Sequence, residues 1–368
     1  MDTISLCMIV RDEEPVLIRC LESAAGLYDE LVIVDTGSAD RTREIARGYT
    51  DKVYDFPWVD DFSAARNFAF ERASMHYCMW LDADDVIPED QRDRFLSVKE
   101  NDLPDADVVM LPYHTAFDAA GRPTFTYYRE RIVRNDPRFR WKGAVHEAIA
   151  PAGKVIYREA AVEHRKEGPG DPDRNLRIFQ GILARGDNLE PREQFYYGRE
   201  LFYHRRYEEA VQVLEAFLTQ GWGWSENNAD ACRVLAACYD ALHQPRFALR
   251  ALLDEIVNEL MAQFEDMLES FRPGEMLLRS GAQAGYRVTD AATPMRGIFH
   301  FVAQNADICR VLLCGPQETA FVDKVNQLVR ERVLDEWAAL VGKESRLGYD
   351  YVFSFFVFPF FFFFFFFF

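Results

Sequence analysis

The first part of the chain alternates continuous apolar runs with amphipathic stretches. Residues 3–10 (TISLCMIV) and 30–35 (ELVIVD) are apolar almost throughout, the pattern of strands covered on both faces of a parallel sheet. Between them Leu17, Ile18, Leu21 and Ala25 recur at helical spacing, preceded by Asp12, Glu13, Glu14 and Pro15 and followed by Gly26. Acidic residues and proline suit a helix start, and glycine suits its end. Residues 42–47 predict a second helix and 52–56 a short third strand, and Ser63 is placed to cap a helix over 64–73. Further apolar runs lie at 77–81 (YCMWL) and 107–112 (DVVMLP), while 127–133 (YYRERIV) alternates like an edge strand. This order predicts an α/β fold with a parallel, doubly wound sheet.

The run at 77–81 stops abruptly in Asp82-Ala83-Asp84-Asp85. On an extended backbone Asp82 and Asp84 face the same side. Two carboxylates in one crevice repel, and one takes up a proton unless a cation joins them. Mg²⁺ and Mn²⁺ favour oxygen ligands. The pattern therefore points to a metal-assisted site for a diphosphate-bearing ligand, with an acidic turn after a strand as the plain alternative. Ligands of open α/β sheets bind at the carboxyl ends of the strands. Arg11, Asp12, Asp35 and the acidic residues at 82–85 all fall at such ends. Neither GxGxxG nor GxxxxGK[ST] occurs, which removes a dinucleotide fingerprint and a P-loop.

After Gly168-Pro169-Gly170-Asp171-Pro172, a cluster of breakers, the periodicity turns helical at 174–183, 194–203 and 205–218. Residues 235–239 and 247–248 echo 198–201 and the region of Ala210. The spacing is near that of tetratricopeptide repeats, about 34 residues. Helical hairpins of that type are expected over 171–253, either as a peptide platform or as a buttress. Residues 256–271, 298–313 and 320–340 also read as helices. The last segment, 351–368, is apolar apart from Ser354 and ends in unbroken phenylalanine from Phe360. A membrane span needs about 20 residues, and Pro359 interrupts the run. The tail reads as an artefactual extension rather than an anchor, and membrane contact is expected only if it acts as one.

The net charge of −18 argues against nucleic-acid binding. The seven cysteines (7, 20, 78, 232, 238, 309 and 314) form no CxxC pair, which fits a reducing cytoplasm rather than a zinc or disulfide scaffold. The chain opens directly on a strand-like run, so no secretory signal is expected.

Four motifs in order, SLCMIVRDEE, LVIVDTGSADRT, DDFSAARNFAFERA and WLDADD, resemble the nucleotide-diphospho-sugar-binding half of family 2 glycosyltransferases with the GT-A fold. The resemblance extends to about residue 170 and makes 1–170 the expected transferase domain. It implies that Asp35 contacts the base or ribose of a nucleotide-sugar donor, foremost a UDP-sugar. Arg11, Asp12, Gly37, Ser38, Arg66, Asn67 and Asp82 are then the remaining donor-side residues. It also implies that Asp82 and Asp84 hold Mn²⁺ or Mg²⁺ against the diphosphate, with His164 as a further ligand. The segment Gly143-Ala144-Val145-His146-Glu147 resembles the family's closing motif. Glu147 is then the candidate acceptor-side base, with Asp84 and Asp85 competing for the role, and His146 a metal or diphosphate contact. Arg129, Arg131 and Arg134 fit either phosphate pairing or a solvated face.

Residues 254–350 resemble, more loosely, the ligand-binding and dimerisation domain of TetR-type regulators, which implies a homodimer. The DNA-reading helix-turn-helix of that family is not seen ahead of it. The expectation is thus an inverting, metal-dependent hexosyltransferase-like enzyme acting on an unknown peptide or glycan acceptor. The alternatives are a helical-repeat interaction protein, a nucleotidyltransferase and a small-molecule-sensing regulator fragment.

Overall fold

The computed structural model describes residues 2–168, 170–221 and 225–269. The expected TetR-like domain beyond residue 269, the dimerisation it implied, Cys309, Cys314 and the phenylalanine tail lie outside the described residues. The chain divides into two compact units, Met1–Glu200 and Leu201–Phe368, so the breaker cluster at 168–172 falls inside the first.

The elements of the first unit follow in chain order: β1 (Ile4–Val10), α1 (Leu17–Ala24), β2 (Glu30–Asp35), α2 (Thr42–Arg47), β3 (Val53–Asp55), α3 (Phe62–Phe70), β4 (Tyr77–Trp80), β5 (Asp85–Val86), α4 (Arg92–Ser97), β6 (Val108–Phe117), β7 (Pro123–Arg134), β8 (Trp141–Lys142), β9 (Ala148–Ile149), β10 (Val155–Tyr157), β11 (Val162–His164), α5 (Arg174–Ala184) and α6 (Pro191–Tyr203), whose last turn crosses into the second unit. The main sheet runs β3-β2-β1-β4-β7-β6-β11-β5, with β10 also on β6, and β8 and β9 pair separately. Strands β1 to β4 are parallel, as their apolar runs predict. Beyond β4 the sheet is mixed, because β7 is antiparallel to both β4 and β6. The expected edge strand is therefore an interior one. Its alternation reflects Arg129, Glu130 and Arg131, which are kept at depth by ion pairs.

Both faces of the sheet are covered, and β1 shows how. Ile4, Leu6, Met8 and Val10 join Leu17, Cys20, Leu21 and Ala24 of α1 in one apolar core. Cys7, on the opposite face, joins Ala69 and Phe70 of α3 and Trp141 of β8 in another. Period-two burial of a strand between two helical layers is the doubly wound arrangement. Gly26, at φ +82°, turns the chain after α1 in a conformation that glycine adopts without a Cβ penalty. Helix α3 starts two residues earlier than expected. Its cap is Asp61, which accepts from the Ala64 amide at 3.0 Å, while Ser63 Oγ donates to the same carboxylate at 2.7 Å. At the amino ends of the strands, Glu30 is buried and accepts from Ser5 Oγ, Lys52 Nζ and Ser74, tying β1, β2 and the turn before β4 together.

The second unit contains α7 (Tyr207–Gln220), α8 (Ser225–Ala241) and α9 (Pro245–Glu269) among its described residues. Helix α7 buries Ala210, Leu214 and Phe217 and ends on left-handed Gly221. Tyr239 stacks on Phe247 at 5.3 Å and donates to Glu215 at 2.5 Å, and Arg233 pairs with Glu255 at 2.7 Å. No helix among the described residues is long and apolar enough to cross a membrane.

Candidate active site

Strand β4 ends at Trp80, and a turn at 83–84 separates Asp82 from Asp85, which opens β5. The Asp85 amide donates to the Asp82 carbonyl and the Asp82 amide to Asp85 Oδ2, both at 3.0 Å. Asp82 and Asp84 take different partners, Arg66 for the first and His164 for the second, although both act on Glu13. Ligand atoms of Asp84, Asp85 and His164 lie within 4.8 Å of one another. His164 Nδ1 is 3.3 Å from Asp84 and 3.4 Å from Asp85. It reaches them because β11 pairs antiparallel with β5, which sets His164 opposite Asp85. These two carboxylates hold the imidazolium form, and burial only partly opposes them, so the pKa of His164 is raised to about 10.

Asp82 is held elsewhere. Its Oδ1 accepts from Arg66 Nη2 at 2.6 Å, and Arg66 Nε donates to Glu147 Oε1, also at 2.6 Å. Arg66 is only 7 % exposed, and its guanidinium lies 5.0 Å from the centre of the Trp80 ring and 4.8 Å from that of Trp141. Burial alone would push the Asp82 carboxyl up, but Arg66 and Arg131 outweigh it and bring the pKa down to about 2. Arg66 thus links one acidic residue of the turn to the expected acceptor-side base. Asn67 faces elsewhere: it clasps the backbone of Trp141, accepting at 2.9 Å and donating at 3.0 Å, and so fixes β8 beside α3.

Asp85 is completely buried, and it accepts from Tyr113 Oη at 2.8 Å and Arg131 Nη1 at 2.9 Å. A carboxylate with no exposed surface is poorly placed to meet an acceptor hydroxyl; its place is as a member of the cluster beside His164. Arg131 is likewise buried against Trp80 and Tyr113, and Arg134 pairs with Asp107. Arg129 contacts Glu130 and donates to the Glu147 carbonyl at 3.3 Å.

At the end of β2, Asp35 is buried. Its Oδ1 accepts from the amides of Gly37 and Ser38, both at 3.0 Å, and from Arg43 at 2.7 Å. Burial works against the charge, but these donors win, and the carboxyl is held below its usual range. Its Oδ2 is buried with no partner, an acceptor at the carboxyl edge that a ligand's N–H or O–H can satisfy. Asp12, in left-handed backbone, accepts from the Ala39 amide at 2.7 Å, and its own amide donates to Ser38 Oγ at 3.0 Å. Arg11 lies exposed, 3.8 Å from Asp12.

His146 points away from the cluster: it stacks on Tyr196 of α6 at 4.0 Å, with Nε2 3.8 Å from Glu200. Arg192 donates to its carbonyl at 3.4 Å, and Glu193 accepts from the Ala144 amide at 3.1 Å. The loop bearing Glu147 is therefore strapped to α6.

The sequence pattern did not single out Glu13, Tyr113 or the α6 residues. Glu13 follows β1 directly, and burial followed by the fields of Asp84 and Asp82 raises its pKa to about 7. So negative a corner suits a divalent cation. The donor set of two carboxylates and one imidazole also fits Mn²⁺ or Mg²⁺.

A mixed α/β sheet of this order, with acidic residues gathered at the carboxyl ends of its parallel strands, is the GT-A fold of glycosyltransferases, followed here by helices. Residues 5–164 match the model of Glycosyl transferase family 2. The chain is 38 % identical over 150 residues to a TPR repeat-containing protein of Synechococcus elongatus, covering 40 % of this chain and 36 % of that protein. It is 25 % identical over 236 residues to the SPbeta prophage-derived glycosyltransferase SunS of Bacillus subtilis, covering 58 % and 52 %. Among solved structures, residues 1–349 of S. aureus TarS superimpose with a TM-score of 0.32 at 17 % identity, covering 71 % of this chain and 91 % of that one. The chain thus spans from about a third to about half of these two curated relatives.

Proposed function

We propose that the first unit is an inverting glycosyltransferase that takes a sugar from a nucleotide-diphosphate donor, foremost a UDP-sugar, with Mn²⁺ or Mg²⁺. The observation that carries this reading is the convergence, inside the family 2 match, of an unpartnered Asp35 oxygen, the Asp84–Asp85–His164 cluster and the Arg66–Glu147 pair. Asp35 receives the donor's base or ribose, with Arg11, Asp12, Gly37 and Ser38 around it. Asp84, Asp85 and His164 would hold the cation, which when bound supplies positive charge to the departing diphosphate. Asp82 keeps Arg66 in place beside them.

Glu147 faces the acceptor. Arg66 engages its Oε1 and so orients the carboxylate. As an acceptor hydroxyl oxygen bonds to the anomeric carbon, the bond from that carbon to the diphosphate oxygen breaks and Glu147 takes the hydroxyl proton. Buried Arg66 cannot lose its charge and needs no rearrangement to hold the base. The helices after residue 200 are read as tetratricopeptide-type hairpins that serve as a platform for the acceptor's carrier. The buried free cysteines fit a cytoplasmic setting.

Thermal unfolding of the full chain against a panel of nucleoside diphosphates and nucleotide sugars, with and without Mn²⁺, tests the donor side. A ligand that binds the native state raises the midpoint by mass action. A metal-dependent rise for one base, with nucleoside diphosphate released from the matching sugar, is the expected outcome. A flat response across the panel would remove the transferase reading.

A further inference from the structure

The β6–β7 hairpin runs on beyond the body of the sheet, and residues 123–128 of β7 are exposed throughout. One of its faces carries a file of aromatic rings. Phe125 and Tyr127, two apart on β7, share that face and lie 5.7 Å from ring centre to ring centre. Tyr127 meets Tyr113 across the hairpin at 5.7 Å, and Tyr113 meets His164 at 5.8 Å. The file is open at its outer end, where Phe125 is 59 % and Tyr127 is 37 % exposed. Its inner end is the cluster itself, because Tyr113 Oη bonds to Asp85 and lies 2.9 Å from His164 Nδ1. Neighbouring cations are already engaged: Arg165 with Glu163 at 2.7 Å and Arg122 with Asp118 at 2.8 Å.

We propose that the Phe125–Tyr127 face is the acceptor subsite and that it takes a neutral saccharide, whose C–H faces lie on the two rings. The assignment rests on the transferase reading and narrows its acceptor. An acceptor must bring a hydroxyl to the donor's sugar beside the cluster, and this file leads from solvent to that point. Flat, exposed rings bury apolar C–H surface while a sugar's hydroxyls stay in water. The cations along the file, His164 at its inner end included, are each paired with a carboxylate and do not select an anion; a saccharide is a neutral molecule that presents such faces in series.

Saturation-transfer NMR on the full chain with Mg²⁺ and nucleoside diphosphate tests this. The probes are methyl glycosides and short cello-, malto- and chito-oligosaccharides, with mixed hexapeptides as the rival class. The expected result is saturation of saccharide C–H protons, and binding about tenfold weaker in a Phe125→Ala, Tyr127→Ala double variant. Both rings are exposed, so the nucleotide-dependent thermal shift of the double variant should match that of the parent. A Tyr128→Ala, Tyr157→Ala pair, removing the 5.1 Å contact on the other face, should bind saccharide unchanged. If no saccharide is saturated by a protein that binds nucleotide, or if binding survives in the Phe125/Tyr127 variant, the assignment is overturned. Hexapeptide binding that depends on these rings would also replace it. Ring-dependent saccharide binding without any nucleotide shift would leave this surface standing and remove the transferase reading alone.

Discussion

At the residue scale the site depends on how few cations face many carboxylates. Arg66 serves both Asp82 and Glu147 from a buried position. Removing one member of a buried ion network leaves the others unpaired, at a cost of about 3–5 kcal/mol. Arg66→Met should therefore destabilise the chain by about that amount in denaturant titrations and abolish transfer. Asp84→Ala removes a half-buried carboxylate from the cluster without opening the core, so it should unfold at nearly the parental temperature yet lose the Mn²⁺-dependent shift. Unchanged metal-dependent nucleotide binding in that variant would take Asp84 out of the metal role. Proton and metal compete for His164. Its raised pKa, about 10, means that a ligating imidazole must first lose its proton. Mn²⁺ affinity should accordingly rise steadily between pH 6 and 8, as titration calorimetry can read. The proton's own contribution to stability has the opposite sense: it is complete below the ordinary histidine range and lost as pH rises through about 10.

At the element scale two ties hold the site's supports. The Glu30 network joins β1 and β2 to the turn before β4. Burial opposes that carboxylate's charge, but Lys52, Ser5 and Ser74 overcome it and lower its pKa to about 2. A depressed carboxylate contributes stability that is present above its ordinary range and lost as pH falls towards 2. Glu30→Gln should thus flatten the acid limb of the stability curve between about pH 4.5 and 2, measured by urea unfolding at stepped pH. The second tie is α6. Glu193 and Tyr196 hold the loop at 143–147 from one side. Glu193→Ala should lower kcat more than it raises KM for the donor, because the base is loosened while the Asp35 end of the site is untouched.

For the whole molecule, the compact unit ends at Glu200, well past the family 2 match at residue 164. Helices α5 and most of α6 belong to the same compact unit as the sheet. A chain ended after residue 200 should melt cooperatively and keep the nucleotide shift. One ended near 170 loses the α6 strap and should melt at a lower temperature; circular dichroism on the two distinguishes them.

How much of this was legible in the sequence differs by residue. Strands β1 and β2 and helix α2 could be placed from pattern alone because a strand buried on both faces must be apolar throughout. Asp35 could be placed because it ends such a strand. Asp84 and His164 came from a motif and a resemblance, and only the antiparallel pairing of β11 with β5 sets His164 against Asp85. The turn after Trp80 redirects Asp82 to Arg66, a partner set by the packing of α3 on the sheet. Strand β7 looked like an edge because polar residues recur along it; the pairing of Arg131 with Asp85 of β5, and of Arg129 with its neighbour Glu130, lets it lie inside. Local order along the chain, period and caps, is set by each residue and its near neighbours, so the sequence by itself determined the alternating elements, the acidic turn and the class of fold. Which carboxylate meets which cation, and which rings line up from the hairpin to His164, depends on strands far apart in the chain. Only the tertiary structure decided those, because register and burial choose among partners that the sequence leaves equivalent.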